Sequence, residues 1–188
     1  MQMIRTLRLA LFAALLFGLP AAAQDSTVVV LVRHAEKAVI AGEANPPLSE
    51  EGQARARVLA DSLAAWNVDA IITTQYVRTQ QTAAPLAAAR RITPVVVSTA
   101  GEGGAAGHPA AVAAAVRGMA GKTILVVGHS NTVRQIIHAL GGPAARDLCD
   151  GEFSNLFVVV LKPGAAPRVE NRHYGRPDGP TDAACHGM

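Results

Sequence analysis

The chain has 188 residues, half of them apolar and only 4% aromatic, with a formal net charge of +3. That length fits one domain with a sizeable core, packed by Val, Leu, Ile and Ala rather than by rings. The small charge, with no Lys/Arg run and no basic–aromatic interleaving, excludes a nucleic-acid binder, and two cysteines in no CxxC spacing exclude a zinc ribbon or a dithiol redox centre.

The chain opens on a leader pattern. Arg5 and Arg8 give a basic start, Leu9 to Leu19 an apolar run, Pro20 a break, and Ala21-Ala22-Ala23 small residues for cleavage. The run is shorter than the ~20 residues of a membrane span. Residues 1–23 are therefore expected to be a signal peptide, removed on export to the periplasm and leaving no stable membrane anchor. A retained N-terminal anchor is the alternative. Without Arg5 and Arg8 the formal charge of +3 drops to +1, so any positive field that matters is local.

Val28-Val29-Val30-Leu31-Val32 reads as a fully buried strand. It ends abruptly in Arg33-His34-Ala35-Glu36-Lys37, a cluster of charge, and in open α/β sheets ligands sit beyond the carboxyl ends of strands. Gly42, Asn45, Pro46 and Pro47 mark a loop. Ser49 is a good N-cap, with Glu50 and Glu51 favoured by the helix dipole. The helix is expected to reach about Trp66, with Val58, Leu59, Ser62, Leu63 and Trp66 inward and Arg55, Arg57 and Asp61 outward.

Ala70 to Thr74 reads as a short strand, followed by a helix from Val77 to Arg90 that Pro85 should kink or restart. Val95 to Val97 is a third strand. Ser98 to Gly107 is Gly- and Ala-rich and reads as a flexible connection. A helix from His108 or Pro109 to Met119 closes at Gly121. Thr123 to Val127 is a second buried strand that runs into Gly128-His129-Ser130, so two strands deliver a histidine to one edge. A helix follows from Thr132 to Leu140, then strands at Asn155–Leu161 and Arg168–His173. The domain is expected over 24–174, with 175–188 a poorly ordered tail. Strand–helix alternation predicts a three-layer α/β/α sandwich with a mostly parallel sheet. Cys149 and Cys185 are open to a disulfide in an exported protein, or to two separate thiols.

Arg33-His34-Ala35-Glu36, Arg78 within Tyr76 to Ala83, and Gly128-His129-Ser130 together resemble the short branch of the histidine phosphatase superfamily, the phosphoglycerate mutase-like fold. The match spans roughly Val28 to Leu161. A phosphoryl group carries charge on three oxygens and needs fixed positive donors with a nucleophile in line. Guanidinium suits the first task because it donates in a fork and keeps its charge. Neutral imidazole suits the second, and two nearby arginines should hold its pKa down.

The resemblance implies a phosphohistidine on His34, hydrolysed by water. It also implies that His129 donates a hydrogen bond to a phosphoryl oxygen and that Arg33 and Arg78 hold the anion. Neither a metal nor any other cofactor is called for. Many relatives use a Glu or Asp between the second arginine and second histidine to protonate the leaving alcohol, and Glu102 is the only carboxylate between Asp69 and Asp147. Lys37, Glu36 and Ser130 are candidate substrate-binding residues, with a surface ion pair as the other reading of Lys37 and Glu36. His108, His138, His173 and His186 have no partner pattern and read as structural or surface residues.

The mutase pattern continues with Ser, Trp and Asn where this chain has Lys37-Ala38-Val39, and no long insertion encloses a sugar phosphate. The expected partner is a small phosphorylated substrate, met by an exported phosphomonoester phosphatase. A non-hydrolytic phosphate-binding module and a phosphatase for protein phosphohistidine or lipopolysaccharide phosphate are the alternatives. The sequence sets neither the substrate nor the oligomeric state.

Overall fold

The structure is a computed structural model and describes residues 26–179. The leader and Cys185, and with it a Cys149–Cys185 pairing, lie outside the described residues. In chain order the elements are β1 (Thr27–Arg33), α1 (Glu50–Ser62), β2 (Ala70–Thr73), α2 (Val77–Arg90), β3 (Val95–Val96), α3 (Gly104–Arg117), β4 (Thr123–Gly128), α4 (Val133–Ala139), β5 (Asn155–Leu161) and β6 (Arg168–His173). Among the described residues they form one six-stranded sheet in the order β3-β2-β4-β1-β5-β6. The first four in that order run parallel, β5 runs antiparallel to β1, and β6 runs antiparallel to β5.

The alternation of β1 sets the layers. Val29 and Leu31 point to one face, where they meet Val112 and Val116 of α3 and Val133, Ile136 and Ile137 of α4. Val30 and Val32 point to the other, against Leu59 of α1 and Ala83 and Leu86 of α2. A central strand buried on both faces reads as continuous Val because both sides need apolar, β-branched filling. The α/β/α sandwich with its mostly parallel sheet is thus as expected.

Some details differ from the expectation. Helix α1 ends at Ser62, and Arg55 is buried rather than outward, while Val58 is 37% exposed. A helical pattern cannot see that Arg55 has a carboxylate waiting for it. Its guanidinium grips Glu36, with Nε at 2.8 and 3.0 Å and Nη2 at 2.8 Å from the carboxylate.

Gly52 lets α1 come this close, since a Cβ there would stand 2.1 Å from the Glu36 carbonyl oxygen. Pro85 neither ends nor restarts α2, which is continuous over Val77–Arg90. Helix α3 begins at Gly104, so the Gly-rich connection is shorter than expected. The stretch after Tyr174 is tied down as far as Asp178. That carboxylate accepts the Phe153 and Ser154 amides at 2.9 and 2.7 Å and the Ser154 hydroxyl at 2.9 Å.

Candidate active site

Strands β1 and β4 lie side by side with Arg33 level with Gly128, and the His34 amide donates to the Gly128 carbonyl at 2.9 Å. The next residue on each chain is then a histidine at the carboxyl edge of the sheet. The two rings meet edge to face, 5.4 Å between centroids. Gly128 permits the turn: a Cβ would stand 2.9 Å from Thr132 Oγ1, the atom that accepts the His129 amide.

A cavity of about 290 Å³ opens here, lined by Arg33, His34, Lys37, Arg78, His129 and Ser130, with Tyr76, Thr99 and Asp150 among the rest. A larger hollow of about 670 Å³ lies elsewhere, at Thr27, Arg117 and Lys162. Its described lining contains no histidine, and Arg117 is spent on the Ala139 carbonyl, so the smaller cavity is the candidate site.

Arg33 is almost fully buried. Its Nη1 donates to the carbonyls of Cys149 and Asp150 at 2.7 and 2.8 Å, and its guanidinium lies 4.2 Å over the Phe153 ring. Nη2 reaches only the Asp150 carboxylate, at 3.5 Å. Burial lowers the guanidinium pKa, but the group keeps its charge because its intrinsic pKa is so high. Arg78 stands in the first turn of α2, 4.2 Å over the Tyr76 ring. Thr82 ties that turn to the first histidine's segment, accepting the Ala35 amide at 2.9 Å and donating to the Arg78 carbonyl at 2.7 Å.

His34 Nδ1 lies 2.7 Å from the Ala35 carbonyl. A carbonyl can only accept, so Nδ1 carries the proton and Nε2 the lone pair. Burial, more than the arginines, lowers the His34 pKa to about 4; Arg33, Arg78 and Lys37 add to it, against the Ala35 bond. His129 is lowered to about 3, again first by burial and then by His34 and Arg78. Two neutral imidazoles therefore sit among fixed cations. Such an arrangement can hold an anion beside a nitrogen lone pair.

Of the sequence-derived candidates, Arg33, His34, Lys37, Arg78, His129 and Ser130 come together in this cavity. Glu36 does not line it: its carboxylate is held by Arg55. Glu102 does not line it either, although Thr99 and Ala105 on either side do. Asp150 is the one carboxylate among the described lining residues, and it faces Arg33.

Sequence reasoning missed Asp150, Phe153, Thr74 and Thr79. Thr74 was legible only as the end of a strand; that β2 neighbours β4, and so faces His129, follows from strand order. His108 is buried with an unpartnered Nδ1. Among the described residues no group of three His, Cys, Asp or Glu could hold a metal ion, and no helix is long and apolar enough to cross a membrane.

This fold and this cavity place two histidines and two arginines around one hollow at the carboxyl edge of the sheet. The family model "Histidine phosphatase superfamily (branch 1)" matches residues 29–102, so that part of the chain is similar to the superfamily, and the fold is phosphoglycerate mutase-like. The structure of the protein histidine phosphatase SixA complexed with tungstate superposes with a TM-score of 0.60 at 17% identity, over 78% of this chain and 96% of that one. SixA from Agrobacterium tumefaciens gives 0.57 at 24%, over 80% and 99%. Phosphoglycerate mutase from Bacillus anthracis gives 0.56 at 13%, over 80% and 94%. These likenesses describe a shared fold. No curated protein matches in sequence.

Proposed function

We propose that the chain is a phosphatase that hydrolyses a phosphomonoester through a phosphohistidine on His34. The observation that carries this reading is the free Nε2 lone pair of His34, set in one cavity with two guanidiniums. In the first step Nε2 bonds to phosphorus, the phosphorus–oxygen bond to the alcohol breaks, and the leaving oxygen takes a proton from solvent. In the second, water attacks phosphorus, the phosphorus–nitrogen bond breaks, the attacking water returns a proton to solvent, and phosphate departs with His34 neutral again. Arg33 and Arg78 face the equatorial oxygens, where charge is carried through both steps. The tungstate in the SixA structure is an oxyanion of the same shape and supports the reading of this cavity as an anion site.

One observation favours a second reading. The described lining holds a single carboxylate, Asp150, and it lies against Arg33, so a leaving group that needs no strong acid suits the site. Aryl phosphates and phosphoramidates, protein phosphohistidine among them, meet that condition. We place the activity in the periplasm on the leader pattern of residues 1–23.

Release of phosphate from a generic aryl phosphate tests the proposal. The chain should turn it over and His34→Ala should not. A protein that binds phosphate but releases none would be the non-hydrolytic module instead.

A further inference from the structure

The hydroxyl of Thr74, at the end of β2, lies 3.1 Å from His129 Nε2 and 3.0 Å from the hydroxyl of Thr79. Thr79 has only one proton, and its best acceptor is the Tyr76 carbonyl at 2.9 Å. The Thr74 proton must then go to Thr79, which leaves the Thr74 oxygen to accept from His129. On the other side of the ring, Nδ1 stands 3.5 Å from Arg78 Nη2, a group that can only donate. Both ends agree: His129 carries its proton on Nε2, and a bare Nδ1 looks toward Arg78. All of Thr74, Thr79 and His129 are buried, so water does not relax the pattern.

We propose that Thr74 is a positioning residue that locks His129 with Nδ1 as an acceptor, so that the cavity takes up one proton with each phosphate dianion. The inference rests on the reading of the cavity as a phosphate site. A dianion brought against a lone pair is repelled; shared with one proton, the same contact becomes a charge-assisted hydrogen bond. The proton enters with the ligand. The charged or titratable groups around His129 are Arg33 at the end of β1, His34 just after it, Tyr76 and Arg78 at the start of α2 and His108 from α3, with Lys37 and Asp150 elsewhere in the cavity lining. Of these Arg78 alone reaches Nδ1, and it keeps its charge. His34 cannot be the donor: its one proton is held by the Ala35 carbonyl.

Titration calorimetry with inorganic phosphate, in two buffers of different ionisation enthalpy, counts the protons. Near pH 8.5 the wild type should take up close to one proton per phosphate, and affinity should fall about tenfold per unit rise in pH. Thr74→Ser should behave alike, whereas Thr74→Val should take up less than half as much. Thr79→Val, which frees the Thr74 proton to turn toward Nε2, should also lower the uptake and serves if Thr74→Val does not fold.

Nitrogen shifts of the empty wild type should show His129 protonated at Nε2. Phosphate bound without proton uptake, or His129 protonated at Nδ1, overturns the proposal. Absence of any phosphate binding strikes the phosphate site itself, and the nitrogen shifts then decide the role of Thr74 alone.

Discussion

His34 donates its Nδ1 proton to the carbonyl of its own neighbour, Ala35, at 2.7 Å. The bond fixes the tautomer locally, without help from a distant residue, and leaves Nε2 with its lone pair free. Because burial lowers this imidazole to about 4, the proposed nucleophile is already deprotonated throughout the neutral range. The acid limb of kcat/KM, which reports the free enzyme, should lie near pH 4 rather than near 6.5. A limb at 6.5 would contradict the described environment of His34.

The same burial couples stability to pH. His34 and His129 stay neutral down to about 4 and about 3, whereas an unfolded histidine takes its proton near 6.5. Between these values the unfolded chain binds more protons, so stability falls as the pH drops. The slope is at most about 1.4 kcal/mol per pH unit for each histidine. The melting temperature should therefore decline from pH 6.5 to 4.5, and the double variant His34→Ala/His129→Ala should decline less steeply. Equal slopes would show that the two rings are not held neutral.

How much of this was legible in the sequence differs by residue. Val28 to Val32 and Thr123 to Val127 announced two buried strands, and the charged or polar residues that end them marked the edge where the cavity opens, because periodicity and β-branching are local signals. Arg55 was misjudged since its inward turn depends on Glu36, nineteen residues away in sequence. Thr74 and Asp150 were invisible for a similar reason. One is placed by the order of strands and the other by a loop that folds back over Arg33. The lowered pKa of His34 was foreseen, but its main cause is burial, which no motif states.

Arg33 depends on the shape of that loop. Arg146 pairs with both Glu152 oxygens at 3.0 Å, and Glu152 accepts the Cys149 amide at 2.7 Å, which turns the Cys149 and Asp150 carbonyls toward Arg33. Glu152→Gln should raise KM for an aryl phosphate several-fold with a smaller change in kcat. It should cost about 1–2 kcal/mol of stability through the weakened bond to the Cys149 amide. An unchanged KM would show that the carbonyls hold Arg33 without the clamp.

Glu102 stands beside the cavity rather than in it, in the short turn before α3. If it swings in as the acid, Glu102→Gln should slow alkyl phosphates by about tenfold or more and leave aryl phosphates nearly unchanged, since general acids typically contribute about 10²–10⁴-fold. Paired rate measurements on the two substrates check this. Equal rates for variant and wild type on both would clear Glu102 of the role.

The central claim is a covalent bond between phosphorus and His34, and trapping reads it directly. The chain should be mixed with an aryl phosphate, quenched in alkali where phosphoramidates survive, digested, and analysed by mass spectrometry. The account predicts one added phosphoryl group on the peptide bearing His34, absent in His34→Ala. Label on another residue, or phosphate release undiminished in His34→Ala, would contradict it.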